Sequence, residues 1–140
     1  MDTSLKILLL DDDAFMLELL TDIVNSLGYD HVRAESDARQ ALAALPGYQP
    51  ELLICDLSMP EMDGIEFLRA AAETDFSGAV ILLSGMDSGI LRAAETLAMA
   101  QGLTILGACT KPVARAGLAD LLALAAQKAR PGQAAHGTGK

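Results

Sequence analysis

The feature that most constrains the fold of this 140-residue chain is a fivefold alternation between short apolar runs and stretches of helical periodicity. Such runs are shorter than most helices and are typical of buried strands. We predict strands at residues 5–10, 31–34, 52–55, 79–83 and 103–106. Because a helical stretch follows each strand over a short connection, the pattern predicts an α/β fold with a parallel sheet covered on both faces.

Apolar residues recur at intervals of three and four after each predicted strand, as on the buried face of a helix. Helices are predicted at residues 14–27, 38–45, 64–74, 88–101 and 118–125. Gly28 is expected to end the first helix, Ser36 to cap the second, and Pro46 with Gly47 to break the second. The fifth strand is expected to close at residues 107–112.

The composition narrows the classes of protein to which the chain can belong. Its formal net charge of −9 argues against nucleic-acid binding, which needs a basic surface to displace counterions. No apolar run approaches the roughly 18 residues of a membrane span, and no basic region leads into a cleavable N-terminal segment. We therefore expect a cytoplasmic protein that binds neither nucleic acid nor membrane. Cys55 and Cys109 lie in apolar stretches, so both are expected to be buried, reduced thiols.

The length of the chain suits a single domain, which we expect to span residues 1–128. Beyond Arg130 the sequence becomes rich in Pro, Gly, Ala, Gln and Thr. Residues 129–140 are therefore expected to form a flexible tail or a truncated linker.

Acidic side chains directly follow two of the predicted strands. Asp11 and Asp12 come after the first strand, and Asp56 comes after the third. In a doubly wound sheet these strand ends are neighbours, so the three carboxylates should converge. Two carboxylates about 4 Å apart repel by roughly 4 kcal/mol at an effective dielectric of about 20, which a cation would relieve. An all-oxygen site predicts Mg²⁺, whereas Asp13 is expected to cap the first helix.

Two further polar residues end the fourth and fifth strands. Lys111 would bring an ammonium and Ser84 a hydroxyl to the same edge of the sheet. A metal ion, an ammonium and a hydroxyl are the groups that stabilise a phosphoryl group on a carboxylate. The set therefore predicts that Asp56 is a nucleophile able to carry an acyl phosphate.

Residues 7–13, 56–60 with 63–64, 83–85 and 111–112 together resemble the receiver domain of two-component response regulators, related to the chemotaxis response regulator. The resemblance covers residues 5–128 and implies a flavodoxin-like sheet with strand order 2-1-3-4-5. It also implies that the chain is a signalling domain and at most dephosphorylates itself.

The resemblance assigns a role to each candidate residue. Asp56 would be the phosphoacceptor, Lys111 would pair with the phosphoryl group, and Ser84 would sense it. Mg²⁺ would be bound by Asp12, Asp56 and the backbone carbonyl of Ser58, with Asp11 acting through water. The peptide bond between Lys111 and Pro112 would be cis. The partner would be a sensor histidine kinase or a histidine phosphotransfer protein, and a homodimer could form through the fourth helix, fifth strand and fifth helix.

Two departures from the family pattern concern the output of the signal. The family carries an aromatic switch residue three positions before the lysine, where this chain has Ala108. The interval from Ser84 to Lys111 is longer than typical by about one helical turn, which lengthens or displaces the fourth helix. We expect a phosphorylation-dependent change to run through Ser84 and residues 85–89, because the two glycines of that segment make movement easy. Parts of residues 81–107 also resemble receivers attached to EAL cyclic-di-GMP phosphodiesterase domains.

Two alternatives of a different class remain open. The pattern Asp11-x-Asp13 after the first strand is also typical of phosphohydrolases of the haloacid dehalogenase type, in which Asp11 would be the nucleophile. The absence of an aromatic residue at Ala108 is also consistent with a vestigial receiver that acts as an interaction module independently of phosphorylation.

Overall fold

Five parallel strands alternate with five helices in the computed structural model of the chain, which describes residues 5–57, 64–74, 76–85 and 88–128. The strands are β1 (Ile7–Leu10), β2 (Val32–Glu35), β3 (Leu52–Asp56), β4 (Ala79–Ser84) and β5 (Thr104–Thr110). The helices are α1 (Ala14–Ser26), α2 (Ala38–Tyr48), α3 (Gly64–Glu73), α4 (Ser88–Ala100) and α5 (Arg115–Lys128). The sheet order β2-β1-β3-β4-β5 confirms the predicted flavodoxin-like α/β fold.

Both faces of the sheet are covered by helices, which divides the core into two layers. α2, α3 and α4 pack on one face, and α1 and α5 pack on the other. β1, β3 and β4 are buried at every position, which explains why these strands form continuous apolar runs. Parallel pairing places Leu10 beside Cys55 and Asp56 beside Leu83, so the carboxyl ends of the three central strands meet at one edge.

Aspartates cap the first two helices. Asp13 is the N-cap of α1, as predicted, and its carboxylate accepts hydrogen bonds from the backbone N–H groups of Phe15 and Met16. The prediction that Ser36 caps α2 is wrong. Asp37 is the N-cap, because its carboxylate accepts a hydrogen bond of 2.8 Å from the backbone N–H two residues further along.

The ends of the same helices differ in how well the sequence predicts them. α1 is followed, as predicted, by Gly28 with a φ of 101°, a left-handed conformation that glycine adopts without strain. The predicted break of α2 at Pro46 is wrong, because the helix continues through the proline to Tyr48. Gln49 N donates to Leu45 O and closes the final turn, while the Tyr48 hydroxyl donates to backbone carbonyls at the sheet and holds that turn in place.

β5 is longer than predicted and continues to Thr110. Backbone pairing with β4 persists as far as the pair of Ser84 and Thr110, even though the side chains in this part of β5 are small. Gly107 lets α5 approach closely, since a Cβ at this position would lie 2.9 Å from Leu121 Cδ2. Because β5 is an edge strand, Cys109 is only half-buried, which corrects the prediction of a buried thiol.

Several sequence predictions concern residues outside the described ranges. They are the assignment of Ser58 as a metal ligand, residues 86–87 of the expected output segment, and the tail at residues 129–140. The proposed domain boundary at residue 128 remains a prediction. Within the described ranges no helix is both long enough and apolar enough to cross a membrane.

Candidate functional site

The three carboxylates that were expected to converge lie at the carboxyl edge of the sheet. Asp11 directly follows β1, and Asp56 is the last residue of the neighbouring strand β3. Asp11 and Asp56 are 0% and 1% exposed, whereas Asp12 is exposed to solvent. One carboxylate oxygen from each of the three lies within 4.8 Å of the others. This arrangement concentrates negative charge in a site that is closed on the protein side and open at Asp12.

Lys111 brings a positive charge to the same site from the end of β5. Its Nζ lies 2.9 Å from Asp11 Oδ2 and 3.3 Å from Asp56 Oδ1. The backbone of Lys111 is fixed to the neighbouring strand, because Lys111 N donates to Ser84 O at 2.9 Å. The peptide bond between Lys111 and Pro112 is cis, as the resemblance implied.

The pKa of Lys111 is set by two opposing effects. Burial lowers it, but the hydrogen bond to Asp11 and the negative charges of Asp56 and Asp11 outweigh burial. The pKa therefore lies above the ordinary value for lysine. Lys111 is consequently a fixed cation in the physiological range and is not a proton donor for chemistry near neutral pH.

The two oxygens of Asp11 have different surroundings. Oδ1 accepts a hydrogen bond of 2.9 Å from Asp13 N. Oδ2 is buried 2.9 Å from the Lys111 ammonium, which is its charged partner within the described residues. A buried carboxylate needs such a compensating cation, because an uncompensated charge is costly to bury. The oxygen-only donor set fits a hard divalent ion such as Mg²⁺.

Ser84 ends β4 one residue beyond the register partner of Asp56. It is 6% exposed, and its hydroxyl donates to the carbonyl of Gly85 at 3.2 Å. The hydroxyl is thus placed at the same edge of the sheet as Asp56, but on the neighbouring strand. Its role in sensing a phosphoryl group remains a prediction.

Cys55 is the residue before Asp56 and is fully buried. Burial raises the pKa of its thiol, and the negative charges of Asp56 and Asp11 raise it further. The thiol donates to the backbone carbonyl of Asp56 at 3.4 Å. Cys55 therefore stays protonated and is unsuited to act as a nucleophile in this site.

Ala108 occupies an exposed position on β5, opposite Leu82 in the register. Leu82 belongs to the core layer that α4 covers, so Ala108 faces the α4 side of the sheet. The position where the resemblance leads one to expect an aromatic residue is therefore a solvent-exposed alanine in this chain.

Sequence reasoning treated Asp13 only as a helix cap and missed its contact with the site. The backbone N–H of Asp13 fixes one oxygen of Asp11, in addition to the capping role of the side chain. The signal was present in the sequence, because an aspartate readily accepts a hydrogen bond from the backbone two residues further along.

Comparisons with known proteins agree with this geometry. The profile of the response regulator receiver domain matches residues 7–123. The chemotaxis protein CheY of Bacillus subtilis is 35% identical over 81 residues, which cover 58% of this chain and 68% of that protein. A probable chemotaxis protein CheY of Rhizobium etli is 30% identical over 96 residues, which cover 66% of this chain and 74% of that protein.

Solved structures show the same relationship. A response regulator from Colwellia psychrerythraea has a TM-score of 0.77 at 36% identity, covering 90% of this chain and 99% of that one. The signal receiver domain of an HD domain-containing protein from Pseudomonas fluorescens has a TM-score of 0.79 at 27% identity, covering 89% and 96% of the two chains.

The matched region contains every described residue of the candidate site, including Asp11, Asp12, Asp56, Ser84 and Lys111. The sheet order and the carboxylate cluster at the ends of β1 and β3 are consistent with that match. The chain belongs to the response regulator receiver domain family of two-component signalling proteins.

Proposed function

We propose that the chain is a phosphoacceptor domain of a two-component or phosphorelay system, in which Asp56 takes a phosphoryl group. The observation that carries this proposal is the position of Lys111 Nζ, which lies within 3.3 Å of both Asp56 and Asp11. The ammonium of Lys111 thus contacts both the proposed acceptor Asp56 and the neighbouring carboxylate of Asp11. A phosphoryl group added to Asp56 would bring its negative oxygens next to that ammonium.

The proposed transfer forms one bond and breaks another. A carboxylate oxygen of Asp56 attacks the phosphorus of a phosphohistidine in the donor protein, and an O–P bond forms. The P–N bond breaks, and its electron pair remains on the imidazole of the donor. Lys111 balances the charge of the phosphoryl oxygens. The Ser84 hydroxyl, which donates to the Gly85 carbonyl, turns to donate to a phosphoryl oxygen.

Mg²⁺ is the proposed cofactor. Asp12 and Asp56 would hold it together with the backbone carbonyl of Ser58, and Asp11 would contribute through water. When bound, the ion supplies positive charge that stabilises the phosphoryl oxygens. The buried Asp11 Oδ2 would gain a cationic neighbour in addition to Lys111.

The proposed partner is a sensor histidine kinase or a histidine phosphotransfer protein in the cytoplasm. Phe15 supports a docking surface close to the site, because it is 71% exposed in the first turn of α1, three residues after Asp12. Single exposed apolar residues are common, so the exposure of Phe15 supports a docking surface only because Phe15 lies next to the site. A donor protein that presents its histidine to Asp56 would cover the first turn of α1.

The proposed output runs through Ser84 and the segment that follows it, because Ala108 offers no ring to move. A homodimer through α4, β5 and α5 is part of the proposal, and Leu124 on α5 is 39% exposed. Hydrogen exchange of the backbone at residues 84–89 should change when a phosphoryl mimic is added. Equal exchange with and without the mimic would contradict this route.

The experiment that tests the proposed function is intact mass spectrometry after incubation with a small phosphodonor and Mg²⁺. We expect a single phosphate adduct on the wild-type chain and none on Asp56→Asn. Asp120→Asn is the matched control, because it makes the same change at an exposed site on α5 and should keep the adduct. Lack of an adduct on the wild type, or an undiminished adduct on Asp56→Asn, would overturn the proposal.

The same variants separate the alternatives. Hydrolysis of a phosphate ester that is lost in Asp11→Asn but retained in Asp56→Asn would indicate a phosphohydrolase of the haloacid dehalogenase type. An adduct that changes neither oligomeric state nor partner affinity would indicate a vestigial interaction module. Attachment to an EAL domain is a further proposal, which the sequence of the full gene product would test.

A further inference from the structure

Three consecutive aspartates at the end of β1 have three different environments. Asp11 is buried, Asp12 is exposed beside the other carboxylates, and the Asp13 side chain turns toward the start of α1. Within the described part of the chain, the cluster of carboxylates that could hold a metal ion contains Asp11, Asp12 and Asp56, but not Asp13. The charge of Asp13 is therefore directed at the helix.

Asp13 makes hydrogen bonds in two directions. Its Oδ1 accepts from Phe15 N at 3.0 Å and from Met16 N at 3.4 Å, which caps α1. Its own backbone N–H donates to Asp11 Oδ1 at 2.9 Å. Its carbonyl accepts from Leu17 N at 3.0 Å, which begins the regular helical pattern. Residue 13 is thus held in an extended conformation, with φ −90° and ψ 109°, from both sides.

We propose that Asp13 is a positioning residue for the cation site, acting through the orientation of Asp11 rather than through its own charge. This inference rests on the proposed function, because it concerns the affinity for the proposed Mg²⁺. The cap fixes the backbone of residue 13, and the N–H of residue 13 fixes Asp11 Oδ1. Asp11 Oδ2 is thereby turned toward Lys111, and the Asp11 carboxylate stays within the cluster formed with Asp12 and Asp56.

The geometry explains why loss of the Asp13 cap should alter the orientation of Asp11 in the carboxylate cluster. Without a side-chain acceptor at residue 13, the N–H groups of Phe15 and Met16 lose their partner, and the start of α1 frays. The backbone at residue 13 then has fewer restraints, and its N–H no longer fixes Asp11 Oδ1. The Asp11 carboxylate can rotate, and the cluster is no longer preorganised for an ion.

The experiment is a calorimetric titration of the unphosphorylated chain with Mg²⁺. Asp13→Asn and Asp13→Ala remove the same charge, but only asparagine keeps a side-chain oxygen that can cap the helix. We expect Asp13→Ala to bind Mg²⁺ about threefold to tenfold more weakly than Asp13→Asn, which is the range a lost cap would give. Asp13→Ser restores a cap by different chemistry and should bind about as tightly as Asp13→Asn.

Asp37 supplies the matched control, because its carboxylate caps α2 but lies outside the carboxylate cluster. Asp37→Asn and Asp37→Ala should differ in stability in the same way as the Asp13 pair, yet bind Mg²⁺ with equal affinity. A second readout needs no metal. Hydrogen exchange of the residue 13 amide in the metal-free chain should be faster in Asp13→Ala than in Asp13→Ser.

The outcomes distinguish failure of the role of Asp13 from failure of the proposed function. Equal Mg²⁺ affinity of Asp13→Asn and Asp13→Ala, with tight binding by the wild type, overturns the role of Asp13 and leaves the proposed function intact. A similar loss of affinity in the Asp37 pair would show a general effect of helix stability and would also overturn it. A wild-type chain that binds no Mg²⁺ overturns the proposed cofactor and this inference together.

Discussion

Replacement of Lys111 by methionine should destabilise the metal-free chain and make it more dependent on Mg²⁺. The substitution removes the cation from two buried carboxylates while keeping a side chain of similar length. At an effective dielectric of about 20, each of the two ion contacts is worth roughly 5 kcal/mol before the cost of desolvation. Breaking a buried pair by removing one partner costs about 3–5 kcal/mol in measured cases.

The expected loss lies at or just below the lower end of that range, because the Lys111 side chain is 24% exposed and water screens part of the interaction. We expect the free energy of unfolding to fall by about 2–3 kcal/mol in Lys111→Met without metal. Mg²⁺ should then bind the carboxylates more tightly than in the wild type, because the competing ammonium is gone. At a free concentration of about 100 times the dissociation constant, the ion would restore about 2.7 kcal/mol.

The assay is urea unfolding followed by far-UV circular dichroism, since the chain contains no tryptophan. Lys6→Met is the control, because its exposed ammonium contacts only the carbonyl and ring of Tyr48 within the described ranges. It should cost less than about 1 kcal/mol, with or without Mg²⁺. The reasoning would be refuted if Lys111→Met were as stable as the wild type, or if Mg²⁺ stabilised both chains equally.

Three further predictions follow from separate parts of the structure. Phe15→Ala should slow phosphorylation by a donor protein but not phosphorylation by a small phosphodonor. The control Met99→Ala changes an equally exposed residue in the last turn of α4 and should alter neither rate. Folding raises the pKa of Lys111, so the contribution of Lys111 to stability is complete below the ordinary lysine pKa of 10.5 and is lost as the pH rises through the folded pKa. Urea unfolding in that pH range should therefore show a larger loss of stability in the wild type than in Lys111→Met. Gly78→Ala should lower the free energy of unfolding by about 1–3 kcal/mol, because the new Cβ would lie 2.5 Å from the backbone oxygen of Glu51. The control Gly47→Ala should not lower the free energy of unfolding by a steric clash, because a Cβ at residue 47 meets no atom within 4 Å.

The sequence was most informative where a strand is buried on both faces. β1, β3 and β4 consist almost entirely of large apolar residues. A polar side chain either ends the strand or directly follows it, so the positions of Asp11, Asp56 and Ser84 followed from the pattern. Convergence of the first two then followed from the order of a doubly wound sheet. This part of the site depends on topology, which the alternation of elements specifies.

The errors lie where backbone hydrogen bonding, rather than side-chain hydrophobicity, determines the structure. The apolar run of β5 stops at Leu106, yet the strand continues because glycine and alanine pair through the backbone as well as larger residues do. Pro46 lies inside α2, and the Gln49 amide and the Tyr48 hydroxyl make hydrogen bonds in the turn that follows it. Neither contact leaves a trace in the periodicity of apolar residues.

The contact between Asp13 and Asp11 was missed for a different reason. The hydrogen bond from Asp13 N to Asp11 Oδ1 is local, because an aspartate readily accepts from the backbone two residues further along, so the sequence allowed this contact to be predicted. It was missed because Asp13 was treated only as the cap of α1.

The hydrogen bond from Lys111 N to Ser84 O joins the two strand ends that respond to a phosphoryl group in the proposed mechanism. If the main chain of Ser84 shifts toward Asp56, the amide of Lys111 must shift with it, because that amide is hydrogen-bonded to the Ser84 carbonyl. A displacement there would pull on the carboxyl end of β5, next to the exposed Ala108. The backbone of the edge strand would then move together with Ser84 and would take part in the proposed output, without any need for an aromatic ring.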